Sequence, residues 1–231
     1  MKILISLMYF TGVVLCITAF PFSGQQTNVD VKELETNFYQ ARKISQEVIK
    51  GYSWSAKTDV EKEGKILTIR IEECRYGTDG KIQQKMITNQ EAKLPSAFLV
   101  HSIANEIKTK TVTYMNNLRV FLEQYSLDDR KLGSPFFSKA IIGTPDPAGQ
   151  ILIAGKDVIV KGDNLRWWID MRNKVVTKAS IVTIFEGNQI EFNATYKYFN
   201  TGLQYMNFAE IRVPSKSITV RLQFYDYTKV K

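Results

Sequence analysis

The side chains able to do covalent or metal chemistry are few, and their spacing does not bring them together. The sequence has a single histidine, His101, placed on a helical stretch beside Phe98 and Leu99. A metal centre needs several His, Cys or carboxylate groups converging, and no such spacing occurs. Glu72 and Glu73 are adjacent on a strand, so they face opposite sides and cannot cooperate as acid and base. Cys74 lies within the same strand and reads as a small packed side chain. No Gly-x-Ser-x-Gly elbow is present, and the glycines fall at turns, away from any phosphate-cradling loop. The residues predict a non-enzymatic protein with no catalytic group, no metal and no cofactor. What is abundant is alternating apolar strand surface, whose chemistry is the exclusion of water. The bets for one continuous apolar face are Trp54, Leu67, Ile69, Trp167 and Ile169. Phe192, Tyr196, Val220 and Leu222 complete it.

The elements that must carry those residues follow from periodicity. Leu165, Trp167, Ile169 and Met171 alternate with Arg166, Trp168 and Asp170. Ile190 to Tyr198 and Ile218 to Phe224 repeat the pattern, and a period of two predicts half-buried antiparallel strands. Short polar turns between them predict a meander. Earlier, alternating runs from Ser53, from Leu67 and from Ile82 predict a small sheet, with Thr78-Asp79-Gly80 as a hairpin turn. Short strands are also expected at Ile151 and Ile153 and at Val158 and Val160. Before the small sheet, Val31, Leu34, Phe38, Ala41, Ile44 and Val48 form one helical stripe. Asn28 or Asp30 caps it and Gly51 stops it. Over residues 96–142 the period lengthens to three, four or five. That predicts one long helix, or two broken near 108–113, then a short helix over 134–142.

Residues 1–24 read as a secretory signal peptide: Lys2 as a basic start, then an apolar run over 3–20. An uncleaved anchor helix is the alternative, since the run approaches the length of a membrane span. Cleavage after Ala19 or after Gly24 fits equally. Cys16 raises a lipoprotein reading, but Val13-Val14-Leu15 lacks the usual small residues. The remainder, 25–231, reads as a single domain. Without the leader only Cys74 remains, so no internal disulfide is possible. Export without disulfides fits a bacterial envelope protein with a core large enough to stand alone. The net charge of +8 is scattered, which favours solubility and allows peripheral contact with an anionic membrane or an acidic glycan. Nucleic acid is not expected as a partner, because no groove-reading or stacking motif accompanies the charge.

The order of elements then resembles the periplasmic lipoprotein-carrier superfamily, LolA/LolB-like. Tyr52-Ser53-Trp54-Ser55-Ala56 and Arg75-Tyr76-Gly77-Thr78-Asp79-Gly80-Lys81 carry the likeness in the first half. Leu165-Arg166-Trp167-Trp168-Ile169-Asp170-Met171-Arg172-Asn173-Lys174 looks like the family's strand, Asp and turn. Ile184-Phe185-Glu186-Gly187-Asn188 and Tyr205-Met206-Asn207-Phe208-Ala209 continue it. The resemblance implies an α+β fold: a strongly curved antiparallel sheet, an incomplete barrel of about ten strands, wrapped over a helical lid or plug. It also implies a periplasmic protein that holds lipid or lipoprotein acyl chains in an apolar cavity. The carriers' lid-holding arginine is not carried over, because Arg70 lies on a comparable strand without a matching motif. The long central helical block departs from the compact carriers. Two other readings stay open. One is a sensor or scaffold that meets another envelope protein through Arg166, Trp168, Tyr225 and Tyr227. The other is a hydrolase joining His101 to a nucleophile.

Overall fold

Asp30 starts the first helix. Its carboxylate accepts the backbone N–H groups of Lys32 (2.8 Å) and Glu33 (3.3 Å), satisfying donors that a helix start leaves open. Helix α1 then runs Val31–Ile49. Its buried residues are Leu34, Phe38, Ser45 and Ile49, while Ile44 is 52% exposed. The expected stripe is therefore corrected at Ile44. At about 100° per residue, Ile44 lies about 80° around the axis from Leu34, on the far side from Phe38, whereas Ser45 returns to within about 20°. The computed structural model describes residues 30–91, 98–126, 130–199 and 203–230. The expected leader over 1–24 lies outside the described residues, as does the side chain of His101.

Three strands follow: β1 (Tyr52–Lys62), β2 (Lys65–Tyr76) and β3 (Ile82–Glu91). Helix α2 spans Phe98–Glu123 without a break, so the threonines near its middle do not divide it. Helix α3 covers Arg130–Lys139, shorter than expected at its C-terminal end, because Ile141–Ile142 instead form strand β4. Then come β5 (Gln150–Lys156), β6 (Asn164–Asp170), β7 (Val175–Phe185), β8 (Asn188–Tyr198), β9 (Gln204–Val213) and β10 (Ile218–Lys229).

Val158 and Val160 are not a strand. The Asp163 carboxylate turns back and accepts the backbone N–H groups of Val158, Ile159 and Val160, at 2.6, 2.9 and 2.9 Å. Donors that a strand would spend on a neighbour are spent on one buried side chain, and the segment becomes a tight loop.

The ten strands form one antiparallel sheet in the order β3-β2-β1-β10-β9-β8-β7-β6-β5-β4. The first strand pairs with the last, so the small N-terminal sheet and the C-terminal meander are continuous. The free edges are β3 and β4, and the sheet is an open, incomplete barrel. Two-residue turns at Glu63-Gly64 (φ 52° and 75°) and Glu186-Gly187 (φ 48° and 73°) match the twist of the strands they join. Register shifts at Ser53/Ser55, Val60/Glu61, Ile71/Glu72, Trp168/Ile169 and Thr195/Tyr196 add local twist.

Candidate apolar binding face

One face of the sheet is apolar across most of its width. Cross-strand partners share a face, and the register aligns Ile151 with Ile169, Ile153 with Trp167, and Trp167 with Ala179. It continues through Ala179 with Ala194, Ile181 with Phe192, Phe192 with Ile211, and Ile211 with Val220. Val220 aligns with Val60, and Leu222 with Thr58. The structure thus brings Trp54, Trp167, Ile169, Phe192, Val220 and Leu222 together as buried side chains on this inner face. Tyr196 is half-buried beside Met206, its cross-strand partner.

Two sequence bets fall elsewhere. Ile69 is a correction: it pairs with Asp59, whereas its neighbour Arg70 pairs with the buried Thr58, so Ile69 lies on the opposite face. Leu67 sits within the Val60/Glu61 register shift and packs, half-buried, against the margin of the core. The alternation on β2 is inverted relative to its polarity, because the inward set is Arg70, Glu72 and Cys74, all buried. Arg70 and Glu72 make a salt bridge there. Burial pushes the Cys74 thiol up to about 12, and the neighbouring Glu72 charge adds to the shift. A thiol held that way is a poor nucleophile at neutral pH.

Helices cover part of this face. Phe38 of α1 stacks on Trp167, with ring centroids 4.8 Å apart and planes 22° apart. Phe136 and Phe137 of α3 approach the same indole at 5.1 and 6.0 Å. Trp167 is therefore enclosed by three phenyl rings from two helices. The adjacent Phe136-Phe137 pair is the strongest part of this cover that periodicity did not single out. Between α1 and β9, Ser45 Oγ donates to the Gln204 carbonyl at 2.6 Å. A recess there, lined by Arg42, Ser45, Gln46, Tyr196 and Met206 among others, has a volume of about 20 Å³. That is room for about one water molecule.

The end of α2 is fixed differently. Tyr125, fully buried, donates from its hydroxyl to Asp163 at 2.7 Å, and Thr183 Oγ1 lies at the same distance. Burial raises the Tyr125 phenol well above its ordinary range. Closer to the middle of the helix, Tyr114 packs on Phe185 and under the Lys216 amine.

The indole N–H groups of Trp54 and Trp167 are buried without a hydrogen-bond partner among the described residues. Such a donor costs about 1–3 kcal/mol unless something accepts from it. Of the residues considered for a protein-binding outer face, Trp168 is half-buried with the Lys178 amine 5.1 Å above its ring. Tyr225 is 37% exposed. Tyr227 instead stacks on Trp54 at 5.8 Å. No group of three or more His, Cys, Asp or Glu able to hold a metal ion occurs among the described residues, and no helix there is long and apolar enough to cross a membrane.

An open antiparallel sheet with helices laid across its apolar side defines the architecture as a half-barrel with a helical cover. No protein-family model matches the chain, and no curated protein matches it. Among solved structures, it is similar to a DUF1329 family protein from Desulfovibrio piger at 11% identity and a TM-score of 0.39, covering 86% of this chain and 92% of that one. It is also similar to a LolA superfamily protein from Nitrosomonas europaea, at 9% identity and a TM-score of 0.33, with 88% and 94% covered. A third is an outer membrane lipoprotein-sorting protein domain, so described, from Vibrio parahaemolyticus, at 8% identity and a TM-score of 0.36, with 84% and 93% covered.

Proposed function

We propose that this chain is an exported envelope protein that binds the hydrocarbon part of an amphiphile, a lipid or a lipoprotein acyl chain, between its sheet and its helices. A leader over 1–24 and a single binding domain over 25–231 belong to this reading, and the compartment is the periplasm. The observation that carries it is the inner face itself: a continuous apolar surface that includes two buried indole donors, on Trp54 and Trp167, with no acceptor among the described residues. Hydrocarbon gains about 0.8 kcal/mol per methylene removed from water. An ester or carboxyl oxygen near the head of the same molecule would accept from an indole N–H, so the face suits an acyl compound better than a plain hydrocarbon.

The cover can act as a gate in this reading. Polar contacts tie α1 to the sheet at a few points, Ser45 to Gln204 and the exposed Glu33 to Lys174 (3.2 Å). The rest of its hold is apolar: Leu34, Phe38 and Ile49 are buried in the core, with Phe38 stacked on Trp167. An acyl chain entering beside Trp167 would replace phenyl contacts with methylene contacts, an exchange of like for like. Organic-solvent extraction of the purified protein followed by mass spectrometry tests the reading. Co-purifying acyl compounds, or stoichiometric uptake of an added fatty acid, are expected. Protein that neither carries nor takes up any acyl compound would contradict it.

A further inference from the structure

We infer that the rim formed by the ends of β1, β2, β8, β9 and β10 is a docking surface for an anionic membrane. Six aromatic rings run across that rim in contact. Tyr76 meets Trp54 at 5.9 Å, Trp54 meets Tyr227 at 5.8 Å, and Tyr227 meets Tyr205 at 4.0 Å. Tyr205 meets Phe199 at 5.0 Å, and Phe199 meets Tyr52 at 6.5 Å. The five strand ends converge because Tyr52 pairs with Lys229, Ser53 with Arg75, and Tyr198 with Gln204.

The run is buried at Trp54 and surfaces at its margins. Tyr198, Phe199 and Val230 are 39%, 37% and 45% exposed. Four of the six rings are tyrosines, apolar in body and polar at the tip, the side-chain type that settles at the boundary between headgroups and acyl chains. Exposed cations flank them: Arg75, Lys81, Lys197 and Lys229. The acidic residues in the same region are fewer. Glu47 is paired with Lys50 at 2.8 Å, the exposed Glu73 lies opposite Lys85 in the strand register, and Asp79 and Asp226 remain. Charge complementarity therefore selects a negative lipid surface, with lysine stems lying along the rings and amines reaching the headgroups.

This docking does not depend on an acyl chain occupying the inner face, and its test separates the two. The full chain is sedimented with vesicles of phosphatidylcholine alone, and with vesicles containing about a third phosphatidylglycerol. Binding is expected on the anionic vesicles only, weakening as salt is raised toward physiological strength. Lys197→Gln and Lys229→Gln should each weaken it about fivefold. Tyr198→Ser with Phe199→Ser should weaken it about tenfold, at unchanged circular dichroism and melting temperature. Ile184→Ser, which removes a still more exposed apolar side chain (55%) away from this rim, should leave binding unchanged. Absence of wild-type binding to anionic vesicles overturns the inference, whatever the uptake of free fatty acid. Equal loss in the Ile184 variant overturns it too, as does full binding by the rim variants.

Discussion

Phe38 and Ile44 belong to one helix and one apolar stripe by sequence, yet the structure gives them opposite fates. Phe38 is 5% exposed and stacks on Trp167, with Phe137 at 5.4 Å and Tyr39 at 5.3 Å. Phe38→Ala removes a buried ring from a site walled by other rings and by sheet. Such a deletion costs about 3–5 kcal/mol, and the better helix propensity of alanine returns about 0.5 kcal/mol of that. The net expectation is about 3.5 kcal/mol. Ile44→Ala takes a side chain that is 52% exposed, so its cost should stay within about 0.5 kcal/mol. Urea unfolding followed by tryptophan emission measures both. With a slope of about 2 kcal/mol per molar, Phe38→Ala should lower the midpoint by nearly 2 M, while Ile44→Ala leaves it almost unmoved. The slope itself should hold, since neither change alters the area exposed on unfolding. Equal shifts for the two variants would refute the assignment of α1 as a plug over Trp167.

Other outcomes follow from the same contacts. Asp163→Ala strands three backbone donors and leaves the Tyr125 hydroxyl only Thr183 as partner, and should cost about 3–5 kcal/mol. Tyr125→Phe should cost about 1–2 kcal/mol, and the double variant less than the sum of the singles, in the same urea assay. Cys74 should resist thiol reagents at pH 8 in the native state and react at once in urea, because burial holds it protonated. Folded-state proton affinity is raised for Cys74 and Tyr114, both to about 12, and for Tyr125. Their contribution is complete below the ordinary thiol and phenol values and is lost as pH rises above them. Stability in urea titrations should therefore fall from about pH 9 upward, with protons released on unfolding.

Much of the sheet was legible in the sequence because β6, β8 and β10 alternate cleanly, with apolar side chains inward and mixed ones outward. Trp167, Ile169, Phe192, Val220 and Leu222 lie where that alternation puts them. On β2 the same rule misplaced Ile69, because the inward positions are held by Arg70, Glu72 and Cys74. A strand that buries an ion pair inverts the pattern that a period of two relies on. Val158 and Val160 imitate a strand, and only the carboxylate of Asp163, three to five residues further on, bends them into a loop. The helical stripe of α1 was right at Leu34 and Phe38 and drifted off at Ile44, where a buried Ser45 bonded to Gln204 takes the inward place. Pairing of β1 with β10 joins segments far apart in the chain, and no local signal encodes it. The rim of aromatic rings depends on that pairing, so its residues appear in the sequence only as scattered tyrosines.

A photoreactive fatty acid, with its reactive group at the tail, puts the central claim to the sharpest test. Irradiation followed by peptide mapping should place adducts on the inner face, at or beside Trp54, Trp167, Phe192 and Leu222, and on the helix residues that cover it. Adducts confined to the outward face around Trp168 and Ile69, or none above the level of a carrier-free control, would contradict binding between sheet and helices.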